Sequence, residues 1–81
     1  MTNSNQRITI ATSYDLGRAI RECRKRDGLT MVEAAGLVNV GVRFLSELEN
    51  GKPTVRLDKL LQVVHGLGLE LSLTSPGGDL S

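Results

Sequence analysis

The stretch Thr30–Gly51, TMVEAAGLVNVGVRFLSELENG, leaves this chain few ways to fold. Thr30 and Glu33 stand three residues apart, in the order of a capping box. The Thr30 hydroxyl accepts from the Glu33 amide, and the Glu33 carboxylate accepts from the Thr30 amide. That starts a helix predicted to run from about Met31 to Val38. Asn39 tolerates the left-handed conformation that a helix-ending turn needs. A second apolar period begins at Val40, passes through Leu45 and Leu48, and stops at Asn50-Gly51. Ala34, Val38, Val40, Leu45 and Leu48 are spaced to turn the greasy faces of two short helices toward one another, and Ala35 is small where their axes come closest.

The flanks extend this pair into one small domain. Ser13 is the expected N-cap of a helix over Tyr14–Arg26, in which Leu16, Ala19, Ile20 and Cys23 recur at helical spacing and Asp15 lies near the positive end. Asp27-Gly28 ends that helix. Lys52-Pro53-Thr54 reads as a loop, because Pro cannot continue the helix before it. The next helix runs from about Val55 or Arg56 to Leu67, with Leu57, Leu60, Leu61, Val64 and Leu67 on one face and Gly68 as the stop. Leu69-Glu70-Leu71-Ser72-Leu73-Thr74 then alternates strictly, which predicts a half-buried strand. A lone strand cannot satisfy its own backbone groups, so it must pair with Arg7–Thr12, with a second copy of the chain, or with another protein. Pairing between copies gives a two-fold dimer, with Leu69, Leu71 and Leu73 as core or dimer face. The expected organisation is a flexible arm or short strand over 1–12, a helical domain over 13–68, a dimerisation strand over 69–74 and a flexible tail over 75–81.

Composition excludes several classes of function. Eighty-one residues make one domain with a thin margin of burial. With no Trp, one Tyr and one Phe, the core must be aliphatic. The single Cys23 allows no internal disulfide, and no Cys/His cluster has zinc-ligand spacing, so no metal or cofactor is expected. His65 has no second ligand nearby and reads as a surface or packing residue. No apolar run approaches a membrane span, and the N-terminal MTNSNQR is no signal peptide, so a cytoplasmic protein without membrane partners is expected. No Ser/His/Asp set, glycine-rich phosphate loop or cleft-forming carboxylate pair occurs, so the chain is not expected to be an enzyme. Net charge is only +1. The basic residues nevertheless cluster, with Arg18, Arg21, Arg24, Lys25 and Arg26 in one group and Lys52, Arg56 and Lys59 in another, a distribution that permits DNA binding without requiring it.

A small residue at Ala35, a turn residue at Asn39 and an aliphatic at Leu45 make the helix-turn-helix spacing. With Leu29-Thr30 and the run Leu45-Ser46-Glu47-Leu48-Glu49-Asn50-Gly51-Lys52-Pro53, it resembles the Xre, or lambda-repressor-like, helix-turn-helix family over roughly residues 14–67. The ending Leu57–Thr74, a helix leading through Gly68 into LELSLT, more narrowly resembles the HipB-type antitoxins, small dimers that repress their own operon and bind a partner toxin kinase. The resemblance implies an all-α, four-to-five-helix DNA-binding domain with a C-terminal β-strand pairing across a homodimer. It implies double-stranded operator DNA and a HipA-type kinase toxin as partners. Met31 replaces the family's usual phosphate-bonding Gln, Asn39 its turn Gly, Gly41-Val42 its Ser or Lys, and Phe44 a small hydroxyl residue.

In such a motif the second helix enters the major groove with its N-terminal residues against base edges. Val42, Arg43, Ser46 and Glu47 are the outward positions. Arg43 is the candidate for guanine O6 and N7, Val42 for a thymine methyl, Gly41 for close backbone approach, and Ser46 for a base or a phosphate. Glu47 repels phosphate unless it accepts from cytosine N4 or pairs with an Arg. Thr30 and Lys52 are the candidate phosphate anchors. Two other readings remain open from the residues: a stand-alone phage or chromosomal repressor, and a protein-interaction module without DNA reading.

Overall fold

The computed structural model describes residues 7–77, and these carry four helices: α1 (Ser13–Arg26), α2 (Met31–Val38), α3 (Val42–Glu49) and α4 (Leu57–Gly66). No strand ladder forms among the described residues. The expectations for residues 1–6 and 78–81 lie outside them.

Each boundary has a local cause. Thr30 and Glu33 make the reciprocal capping box at α2, with bonds of 2.9 and 3.1 Å. Asn39 follows α2 in the left-handed region at φ 62°, and its amide returns to the Ala35 and Gly36 carbonyls. The N-cap of α1 is Thr12 rather than Ser13. Thr12 Oγ1 accepts from the Asp15 amide at 3.0 Å, while the Asp15 carboxylate accepts from the Ala11 and Thr12 amides. Both Thr12 and Ser13 are good caps, and Asp15 decides between them, because it stands three residues after Thr12. Ser13 turns instead to donate to the Gly51 carbonyl at 2.9 Å, tying the start of α1 to the end of α3.

The core is aliphatic and contributed by all four helices: Ile20 and Cys23, then Ala34, Ala35 and Val38, then Leu45 and Leu48, then Leu60, Val63 and Val64, with Leu67 after them. Val40 and Phe44 are half-buried against it. Leu57 departs from the expected apolar face: it is 64% exposed, because α4 begins there and its first turn overhangs the core.

Two close approaches seat α3. Gly17 faces the α3 backbone, where an added Cβ would fall 2.6 Å from the Glu49 carbonyl oxygen. Any side chain there would push the helices apart. Alongside, Arg24 and Glu49 form a two-pronged ion pair, Nε to Oε2 at 2.7 Å and Nη2 to Oε1 at 3.0 Å, with side-chain exposures of only 11% and 3%. The third Arg24 prong, Nη1, donates to the Leu29 carbonyl at 3.0 Å. One guanidinium thus joins α1, the α1–α2 turn and α3.

Residues 69–74 run on from α4 without the expected partner. The Leu69 amide still returns to the Val64 carbonyl, but residues 70–73 make no backbone hydrogen bond among the described residues. Leu69 packs on the core, whereas Leu71 and Leu73 are 43% and 87% exposed. Among the described residues there is no sheet for this segment to join. The segment over residues 7–11 is exposed and likewise outside any ladder.

Replacing Arg24 by Met should leave the buried Glu49 carboxylate unpaired and cost about 3–5 kcal/mol of unfolding free energy, a large share of the about 5–15 kcal/mol typical of a whole domain. Urea denaturation should find most of that loss recovered in the R24M/E49L double variant, which removes both charges.

Candidate nucleic-acid interface

The surface of α3 divides sharply. Leu45, Leu48 and Glu49 face inward and are buried. Val42, Arg43, Ser46 and Glu47 lie outside that buried set, within an arc of roughly 140° at about 100° per residue. Val42 is 43% exposed and the Arg43 side chain 90% exposed, while Ser46 and Glu47 are half-exposed. The four outward residues expected from sequence therefore occupy one continuous stripe.

The helix start is chemically open. Gly41 is the N-cap in extended conformation and supplies no side-chain cap bond, so the first α3 amides keep their donors. An added Cβ at Gly41 would meet nothing within 4 Å. At α2 the arrangement differs. Thr30's own amide is engaged by Glu33, and its oxygen accepts from the Glu33 amide. The Thr30 hydroxyl proton and the first α2 amides remain for an anion, beside a carboxylate of the same cap.

Lys52 and Arg43 converge on Glu47. Lys52 Nζ donates to Oε1 at 3.2 Å and Arg43 Nε to Oε2 at 3.3 Å. The Lys52 ammonium, and after it Arg43, hold the Glu47 carboxyl below the usual carboxylate range, so it is an anion at neutral pH. Sequence reasoning anticipated a pairing with an Arg for Glu47. The second partner, Lys52, comes from the loop that the Gly51 turn folds back: Gly51 has φ 83°, and the Lys52 amide returns to the Glu47 carbonyl at 3.1 Å.

Much of the remaining basic surface is paired. Arg18 meets Glu22 and lies 5.8 Å over the Tyr14 ring, Arg26 meets Asp27, and Arg56 meets Asp58. Arg24, counted in the basic group of α1, is withdrawn into the interior by Glu49. That strut was missed in the sequence, although a signal existed: Arg24 stands four residues after Ile20, and Glu49 four after Leu45, so each charge sits on an apolar face. His65 is exposed, and no group of three metal-ligating side chains occurs among the described residues. No helix among them is long and apolar enough to cross a membrane.

A family model described as a helix-turn-helix domain matches residues 15–75. An uncharacterized HTH-type transcriptional regulator of Sinorhizobium fredii, y4mF, is 43% identical over 68 residues, spanning 84% of this chain and 90% of the relative. Among solved structures, the fold is similar to that of HipB in a complex with an O2 20-mer, with a TM-score of 0.78, 21% identity, and coverage of 88% of this chain and 99% of that one. A complex of HipA, HipB, O2 and O3 matches with a TM-score of 0.76, 22% identity, and coverage of 84% and 96%.

Cys23 is buried, and burial pushes its thiol pKa up, which keeps it protonated and unreactive at neutral pH. A thiol-specific reagent should label the native chain only at the rate of opening. Labelling in denaturant should be immediate, and fast labelling of the folded chain would contradict the packing of Cys23.

Proposed function

The chain belongs to the helix-turn-helix domain family, and from that premise we propose that it is a sequence-specific DNA-binding transcriptional repressor that binds a palindromic operator as a homodimer. The observation that carries this reading is the α3 stripe: Val42 and Arg43 exposed and Ser46 half-exposed beside an uncapped helix start, on a helix whose other face is buried. Arg43 reads a guanine, Val42 packs on a thymine methyl, and Ser46 meets a base or a phosphate. Gly41 admits the backbone closely, and Thr30 and Lys52 anchor phosphates on either side. Glu47 lies in the same interface.

The dimer is built by the C-terminal segment. Leu69, Leu71 and Leu73 alternate along a stretch whose backbone groups from 70 to 73 are unbonded among the described residues, and a second copy in the same state completes the ladder. Two recognition helices then sit about 34 Å apart, one turn of duplex. We further propose that the chain is the antitoxin of a toxin–antitoxin pair and neutralises a HipA-type kinase. The likeness in fold to HipB, in a complex that includes HipA, supports this, as does the C-terminal LELSLT ending. Co-purification with the product of a neighbouring kinase-like reading frame tests the antitoxin role, and a chain with no such neighbour is a stand-alone repressor.

Selection from a random duplex pool, followed by titration over a salt series, tests the DNA reading. Arg43→Ala should lower discrimination between the selected site and its guanine variants by about 1–3 kcal/mol. Lys52→Ala should weaken all duplexes alike and flatten the salt slope by about 0.9. Retention of both wild-type affinity and wild-type slope in both variants would refute the interface.

Leu71→Pro removes an amide from the proposed ladder. It should convert the dimer to a folded monomer in sedimentation and weaken operator binding. An unaltered dimer would exclude a strand-built interface.

A further inference from the structure

We propose that Glu47 is a positioning residue that sets the sequence discrimination of α3: it holds the Arg43 guanidinium end-on toward the groove and keeps Arg43 from indiscriminate capture by phosphate. The proposal rests on the DNA-binding reading above and assigns to one carboxylate a role apart from base contact.

The geometry is a bridge. Each Glu47 oxygen takes one cation, Oε1 from Lys52 Nζ at 3.2 Å and Oε2 from Arg43 Nε at 3.3 Å. The Arg43 side chain is 90% exposed, and Glu47 is its only hydrogen-bond partner among the described residues. Without that partner a long side chain on a bare helix face would sample many rotamers, and ordering it on DNA would cost their entropy. The atom engaged also matters. With Nε turned to Glu47, the pair left for DNA is Nη1 and Nη2, a planar end-on fork of the kind that matches guanine O6 and N7. A fork held in one direction rejects the wrong base, whereas a free one finds any phosphate within reach.

The second effect is one of charge. Phosphate attraction carries no sequence information and supplies nearly all non-specific binding. Glu47 sets one negative charge against the two positive charges of Arg43 and Lys52 on this face, and it lies at the interface itself. It subtracts from attraction to every duplex equally, while the directed fork adds to attraction for one. Loss of the charge alone would strengthen binding to every duplex alike, whereas loss of the positioning lowers the ratio of specific to non-specific binding.

The test uses the full chain and the duplex that the wild type selects from a random pool. Wild type, Glu47→Gln and Glu47→Asp are titrated on that duplex and on a random duplex across a salt series, with thermal melts to verify folding. For Glu47→Gln, random-duplex binding should tighten about 3–10-fold, with a slope steeper by about 0.9 for each phosphate gained. The ratio of selected to random affinity should fall about 10-fold or more. Glu47→Asp keeps the charge but is one methylene too short to span both cations. It should restore weak random binding without restoring the ratio. In an Arg43→Ala background Glu47→Gln should lose most of its effect on the ratio, since the positioning acts through that arginine. A folded Glu47→Gln variant with wild-type slope and ratio would overturn the proposal while leaving the DNA-binding reading intact. A folded wild type that selects no duplex would overturn that reading, and the proposal with it.

Discussion

The Arg24–Glu49 fork is the constraint on which the rest of this structure depends. Helices of eight residues, such as α2 and α3, are not stable alone in water. They persist because each is held by neighbours, α3 by α1 and α2, and α2 by α3 and α4. The fork, its third bond to the Leu29 carbonyl and the bare backbone approach at Gly17 act within about two turns of α1 and the turn after it. Together they determine the depth and tilt of α3. Hydrophobic burial of Leu45 and Leu48 draws α3 in, but burial has no direction. The paired guanidinium and carboxylate, matched prong for prong, do.

From that seating follows the character of the outer face. Because Glu49 is consumed inside, the one acidic side chain left to the α3 stripe is Glu47, and the turn at Gly51 brings Lys52 back to it. The outward face of α3 is therefore not a simple basic patch. It is a short stripe with an aliphatic residue, a directed arginine and a compensated carboxylate beside open helix amides. The arginines of α1 add less than their number suggests, since Arg24 is internal and Arg18 and Arg26 are matched by neighbours.

The two ends of the described chain stand in contrast to this closed centre. The helical domain meets its internal needs: no buried side-chain nitrogen or oxygen lacks a partner among the described residues. The segment from Glu70 to Leu73 makes no backbone hydrogen bond among the described residues and exposes two leucines. This alternating apolar stretch is the part of the described chain that the core leaves uncovered, and the proposed dimer would cover it. A symmetric dimer and a heterologous partner draw on the same chemistry there.

What the sequence determined by itself was everything governed by short range. The Thr30–Glu33 box, the left-handed Asn39 and the apolar period of α3 appear as expected because each depends on residues within one or two turns. The outward stripe of Val42, Arg43, Ser46 and Glu47 follows from the same period. Even the misplaced cap was a local matter, settled by the spacing of Asp15 from Thr12. Only the tertiary structure decided which charges are on the surface. Arg24 and Glu49 are 25 residues apart, and no periodicity reveals that they meet. Nor does it reveal that Lys52 joins Arg43 on Glu47, or that the first turn of α4 overhangs and exposes Leu57. Helical period says which way a side chain points from its own axis. What it points at depends on how four axes pack, and that is set by contacts between residues far apart in the chain.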